Sequence, residues 1–290
     1  MKPAAFEYHR VFSAQEAVQL LSELGDEAKI LAGGQSLAPM MNFRLARPSA
    51  LIDINRVSDL DYIRRDGAAL TIGALTRHRT VETSTSADIL DGFAVLPKAA
   101  HHIGHFPIRT RGTVGGSIAH SDPSAEWCLL ARLFDATIVT ESPRGKREVG
   151  SAEWFTGFLT TSAEYDEVVV EIRFTNPRTY SALAEFAQRK GDFAIASAAV
   201  AFDVTDGGCA NTTVVLGGVG SEPFRSPELD AVANGRPPGA DTAQAVATAA
   251  QAMVNPPADL HGGSDYRRHL VGSMIRQAFA DAGAVPTEAA

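Results

Sequence analysis

The chain has 290 residues, 45% hydrophobic and 21% charged, with a net charge of -8, which suits a globular protein of two or three domains. The acidic balance excludes a nucleic-acid binder that must neutralise phosphates, and no run of about 18 apolar residues offers a membrane span. Two cysteines, Cys128 and Cys209, cannot by themselves ligate an iron–sulfur cluster or a structural zinc, and both read as buried thiols.

The first ten residues lack the apolar stretch of a signal peptide, so the expected compartment is the cytoplasm. Ser13-Ala14-Gln15-Glu16 is a capping-box sequence. It opens a helix with Ala17, Val18, Leu20, Leu21 and Leu24 on its apolar face, which Gly25 ends. Residues 29–32 read as a short buried strand running straight into Gly33-Gly34-Gln35-Ser36. A helical turn over 37–41 and a second strand over 51–54 complete a small α/β unit. Residues 62–65 and 69–74, joined at Asp66-Gly67, read as a hairpin. Helices are expected over 76–82 and 93–102. After a second glycine pair, Asp122-Pro123 is expected to start a helix with proline at its first position. A strand pair over 136–140 and 146–149 follows, then a strand over 168–174. A boundary is expected near Asn176-Pro177-Arg178. Beyond it come two strands, over 194–204 and 209–216, and then helices. Asp241-Thr242-Ala243-Gln244 resembles a capping box, Ser264 caps the last helix, and residues 286–290 fray.

Chemistry concentrates at Ala32-Gly33-Gly34-Gln35-Ser36 and Thr113-Val114-Gly115-Gly116-Ser117. A diphosphate carries closely spaced negative charge. Consecutive backbone N–H groups can surround it only where no Cβ blocks the approach, and a following serine adds a hydroxyl. The first turn leaves a strand and opens toward a helix, whose dipole favours an anion. Two such turns form a clamp on one diphosphate. A valine at Gly33 or Gly115 would then block the anion itself.

Other patterns are weaker. Gly34-Gln35-Ser36-Leu37-Ala38 lacks the last glycine of a nucleophile elbow. Gly218-Val219-Gly220 is followed by Ser221-Glu222-Pro223, which cannot continue as a dinucleotide-binding helix. His101, His102, His105 and His120 lack a carboxylate at ligand spacing in the sequence and read as a polar wall or a subunit contact rather than a metal site. Asp53 reads as structural in preference to a ribose ligand, and Trp127 and Trp154 as core.

The segment from Ala32 through Leu37 to Pro39, the segment Arg111 to Glu126, the run Arg189-Lys190-Gly191-Asp192-Phe193-Ala194, and the pieces Leu216-Gly217-Gly218-Val219-Gly220 and Tyr266-Arg267-Arg268 occur in order across nearly the whole chain. Together they resemble the FAD-binding medium subunit of molybdenum hydroxylases, the group of xanthine dehydrogenase, carbon monoxide dehydrogenase and quinoline 2-oxidoreductase. The resemblance implies an α+β fold: a two-lobed FAD-binding domain of the vanillyl-alcohol-oxidase/PCMH type over residues 1–176 (lobes of about 1–57 and 58–176), then a C-terminal domain over 177–285 with a small antiparallel sheet and a helical bundle. It implies one non-covalent FAD, with Ala32, Gly33, Gly34, Gln35, Ser36 and Leu37 on one side of the diphosphate and Thr113, Gly115, Gly116 and Ser117 on the other. By the same resemblance Asp122 would belong to this site. Glu126 would bind toward the adenosine end, Val169 would pack near the adenine, and Ile103 with Lys190 or Arg189 would lie near the flavin. Ser117 stands where many relatives carry Asn. No catalytic base and no metal ligand are implied in this chain. The molybdenum cofactor would sit on a large partner and the iron–sulfur clusters on a small one, in a dimer of heterotrimers, and electrons would pass through this FAD to an external acceptor. A stand-alone FAD oxidase of the same broad fold is the alternative.

Overall fold

A computed structural model describes residues 1–283. The end of the expected C-terminal region and the expected fraying at 286–290 lie outside the described residues.

The chain opens with a three-stranded parallel sheet in which Ala50–Asp53 lies between Glu7–Arg10 and Ala28–Leu31. The first strand, mostly exposed and charged (EYHR), gave no apolar signal in the sequence. Helix Ala14–Leu24 buries Ala17, Val18 and Leu21 against this sheet. Its cap is a variant of the expected box: Ser13 Oγ accepts from the Glu16 amide at 3.1 Å, but Glu16 reaches one residue further back, to the Phe12 amide at 2.8 Å. Gly25 ends the helix at φ 74°.

The second lobe is built on a five-stranded antiparallel sheet in the order Ile63–Asp66, Ala69–Gly73, Val168–Phe174, Thr137–Ser142, Gly145–Gly150. Val168–Phe174 joins the two hairpins. A bulge between Val169 and Glu171 re-aims this strand. Val168 and Val170 pack with Ile52 and Val139 in the core of the parallel sheet, while Ile172 and Phe174 pack with Trp127, Phe93 and Phe134. Trp127 and Trp154 are fully buried.

The helices of this lobe depart from the expected bounds. The helix expected over 93–102 is Val95–His102, and a further helix ahead of it, Ala87–Phe93, was not read in the sequence. Helix Ala87–Phe93 kinks at Asp91 and Gly92, where Gly92 has φ +86° and packs so tightly on Pro177 that a Cβ would lie 2.3 Å from the proline Cβ. The second glycine pair is not a turn: Val114–His120 is a helix capped by Thr113. The next helix is Glu126–Leu133, not one begun by Asp122-Pro123. Asp122 instead closes a turn of its own, accepting from the Ser124 amide at 2.8 Å.

Past Pro177 the sheet has three strands, Tyr180–Phe186, Ala196–Thr205 and Gly208–Gly217; the first of these was missed in the sequence. One face packs on helices Ala240–Met253 and Ser264–Asp281 through Val200, Phe202, Val214 and Leu216. The other face contributes Leu183, Ala199, Ala201 and Val215 to the core around Trp127. Neither expected cap survives here. Gly239 precedes the Ala240–Met253 helix and Thr242 Oγ1 donates to the Pro237 carbonyl at 2.7 Å, while Gly263 caps the last helix and Ser264 is its first residue.

Candidate functional site

The first glycine segment follows directly on strand Ala28–Leu31 and leads into the short helix Leu37–Asn42. Gly34 has φ +71°, which an L side chain adopts only under strain. Among the described residues the backbone N–H groups of Gly33, Gly34, Gln35 and Ser36 donate to no protein acceptor. A run of unspent donors on an open turn is an anion cradle. The Gln35 side chain folds back, with Nε2 donating to the Gly33 carbonyl at 3.0 Å.

A polar chain not found in the sequence reading holds this turn. Asp53 is buried and accepts from the Tyr8 hydroxyl and, at 2.9 Å, from the Asn55 amide. Asn55 Nδ2 donates to the Ala32 carbonyl at 2.7 Å, and Asn55 Oδ1 accepts from Arg77 at 2.8 Å. Arg77 also donates to the Arg111 carbonyl, just ahead of the second glycine segment. Burial alone would raise the Asp53 carboxyl, but the bonds from Tyr8 and Asn55 bring it below its ordinary value. Asp53 is thus a support of the turn. Asn55 and Arg77 carry no motif signal; only their position after a strand and before a helix could have suggested them.

The second segment spends its amides within the protein. Gly115 N–H donates to the Ala74 carbonyl at 2.9 Å, Gly116 N–H to Thr113 Oγ1 at 3.0 Å, and Ser117 N–H to the Thr113 carbonyl at 3.1 Å. The glycines serve close packing. A Cβ on Gly115 would lie 2.5 Å from the Ala74 Cβ, and one on Gly33 2.4 Å from the Arg111 carbonyl oxygen. The expectation that valine at either position would obstruct the anion itself is therefore corrected: it would first collide with the protein's own backbone.

Both segments line one cleft of about 480 Å³. Ala32, Gly33, Gly34, Ser36, Leu37, Gly115, Gly116 and Val169 all contribute to it, as do His120, Leu159 and Tyr165, which the sequence reading did not assign to the cofactor. Burial pushes the His120 imidazole below its ordinary value, outweighing nearby Asp122. Gln35, Thr113 and Ser117 stand on the same two segments without lining the cleft.

A second cavity of about 580 Å³ holds Asp122 and Arg189, together with Phe158, Phe193, Gly218 and Arg267. Arg189 Nε is 3.7 Å from Asp192, whereas Lys190 Nζ turns away to His101 Nε2 at 3.2 Å. Ile103 caps helix Val95–His102 beside that histidine. Glu126 does not line the cleft that Val169 lines; its acidic neighbours are Glu185 and Asp122. Burial, then Glu185, then Asp122 push its carboxyl up to about 8. The structure also supplies the carboxylates that the histidines lacked in sequence: Glu82 at 2.8 Å from His101 and Glu185 at 3.4 Å from His102. Among the described residues no group of three or more such side chains is disposed to hold a metal ion.

Residues 4–177 match the family described as the FAD binding domain in molybdopterin dehydrogenase, and residues 181–282 match the CO dehydrogenase flavoprotein C-terminal domain. The chain belongs to the FAD-binding medium-subunit family of the molybdenum hydroxylases. It is similar to the 6-hydroxypseudooxynicotine dehydrogenase complex subunit alpha of Paenarthrobacter nicotinovorans, at 36% identity over 97% of this chain and 96% of that one. The nicotine 6-hydroxylase medium subunit of the same organism is 33% identical over 98% and 99%. Among solved structures, carbon monoxide dehydrogenase from Hydrogenophaga pseudoflava superposes with a TM-score of 0.92 at 37% identity, covering 98% of this chain and 99% of that one. As a medium subunit the chain is an FAD-binding component of an oxidoreductase, and its mixed helix-and-sheet fold is that of the family.

Proposed function

We propose that this chain receives electrons from iron–sulfur clusters on a small partner subunit and passes them through its FAD to an external acceptor, while a large partner subunit carries the molybdenum cofactor and the substrate. The four unspent amides of Gly33, Gly34, Gln35 and Ser36, at the edge of the 480 Å³ cleft, carry this reading. They offer donors to a diphosphate, with Ala32 and Leu37 beside them. Thr113, Gly115, Gly116 and Ser117 shape the facing wall, Val169 meets the adenine, and Asp122, Glu126, Ile103, Lys190 and Arg189 serve the remainder of the cofactor. FAD supplies the electron chemistry, and the chain supplies position, electrostatics and exclusion of water. The cofactor region spans residues 1–176, in lobes of about 1–57 and 58–176, and the C-terminal region spans 177–285. The complex works in the cytoplasm as a dimer of heterotrimers; no helix among the described residues is long and apolar enough to cross a membrane.

Purification of the tagged chain from its native cells tests the proposal. The expected result is co-purification of one larger and one smaller chain carrying molybdenum and iron, with about one FAD per copy of this chain. A flavin-bearing chain that always purifies alone and without metals would overturn the electron-relay role.

A further inference from the structure

Ile103 and the Arg189-Lys190 pair, assigned above to the flavin end, come from different parts of the chain. Ile103 closes helix Val95–His102, and Lys190 lies between strands Tyr180–Phe186 and Ala196–Thr205. One carboxylate reaches both. Glu82 ends helix His78–Glu82, and its side chain is only 5% exposed. On one side its Oε1 is 2.8 Å from His101 Nδ1, and Lys190 Nζ donates to His101 Nε2 at 3.2 Å. On the other side its Oε2 accepts from Arg109 Nε at 2.9 Å. Arg109 in turn donates to the carbonyls of Ile103 at 3.2 Å and Gly104 at 2.9 Å. Arg79, 3.0 Å away, completes the shell.

Burial alone would raise the Glu82 carboxyl, but hydrogen bonds from His101, Arg79 and Arg109 outweigh it and bring the group down to about 2. An ionised Glu82 accepts only. It therefore holds the His101 proton on Nδ1 and leaves the Nε2 lone pair facing the ammonium of Lys190. The Lys190 turn is docked on the same segment: Gly191, at φ +89°, comes so near His105 that a Cβ would lie 2.5 Å from its Cε1 and 3.0 Å from the Gly104 carbonyl oxygen.

We propose that Glu82 is a positioning residue for the flavin, setting the place of Lys190 through His101 and the place of Ile103 through Arg109. The proposal rests on the proposed flavin end, and on Lys190 being the one of the Arg189-Lys190 pair that serves it. An ammonium held near the flavin favours its reduced, more electron-rich form, so the anchor sets the midpoint potential.

The test is a spectroelectrochemical titration of the FAD-loaded full chain, comparing wild type with Lys190→Gln, His101→Leu, His101→Gln and the double variant Lys190→Gln/His101→Leu. Lys190→Gln and His101→Leu are each expected to lower the midpoint. His101→Gln, whose amide oxygen can still accept from the lysine, is expected to restore most of the loss, and the double variant to fall no lower than Lys190→Gln. A lowered midpoint in Lys190→Gln with none in His101→Leu overturns the relay and leaves the flavin site standing. An unchanged midpoint in Lys190→Gln removes Lys190 from the flavin and takes the proposal with it. His101 is half exposed, so leucine there does not threaten the fold. In the FAD-free chain, amide exchange over residues 188–193 is expected to quicken in His101→Leu; unchanged rates there also overturn the anchor.

Discussion

Asn55 is a small side chain with a large share in the site. It takes one bond from Arg77 and gives one to the Ala32 carbonyl, so it joins the two glycine segments without lining the cleft. Asn55→Ala is expected to cost about 1 kcal/mol of stability and to weaken FAD binding by about tenfold; urea unfolding and flavin fluorescence titration measure the two. A loss of stability with no loss of affinity would make Asn55 a packing residue alone. Glu126 makes a different prediction. Its folded-state carboxyl is raised, so the native state holds a proton that the unfolded chain releases. The resulting penalty is absent below the ordinary value of 4.5, grows as pH rises, and is complete above about 8. Glu126→Gln removes it. The variant is expected to match wild type at pH 4 and to exceed it by on the order of 4 kcal/mol at pH 8.5. Denaturant midpoints at both pH values decide it, and equal midpoints at pH 8.5 would show that Glu126 ionises freely.

At the level of elements, the two glycine segments divide the labour. One keeps its amides open, and the other closes them within a helix and a contact with Ala74. Thr113 is the pivot of the second, since its hydroxyl caps helix Val114–His120. Thr113→Val should lose about 1 kcal/mol, and up to about 2, while Thr113→Ser keeps the cap; thermal melts with and without FAD would separate stability from affinity. The sequence exposed the motif but misassigned its shape. Gly-Gly is a turn signal by composition, and only the nearness of Ala74, a long-range fact, turns it into a helix. The strand Val168–Phe174 was legible because every second residue is buried. Tyr180–Phe186 was not, because its small residues follow a proline break and resemble a linker until a partner strand covers them. Likewise Asp122-Pro123 has the composition of a helix start, yet the Asp122 carboxylate is committed to the Ser124 amide and delays the helix to Glu126.

For the whole molecule, the resemblance carried by the glycine segments and the C-terminal pieces was readable from residues alone, because it depends on local order along the chain. The second cavity and the Glu82 hub were not, since their members are brought together only by the packing of separate regions. Gly92 and Pro177 mark the join. The backbone at Gly92 is left-handed and pressed against the proline, and the Arg178 amide donates to the Gly92 carbonyl at 2.9 Å. Gly92→Ala is expected to lower stability by about 2 kcal/mol and to speed exchange of the Arg178 amide; native exchange rates there would show that the join does not depend on this contact.

The three cores also close in a fixed order along the chain. The first, around Ile52, needs nothing beyond Val170; the second, around Trp127, still lacks Val215; the third waits for Phe279. During synthesis the parallel sheet can therefore settle early, while the part of helix Glu126–Leu133 that packs on the C-terminal sheet stays uncovered until the hairpin ending at Gly217 has emerged from the ribosome. In that interval the nascent chain shows an uncovered apolar face, and it is then that a chaperone has most to protect.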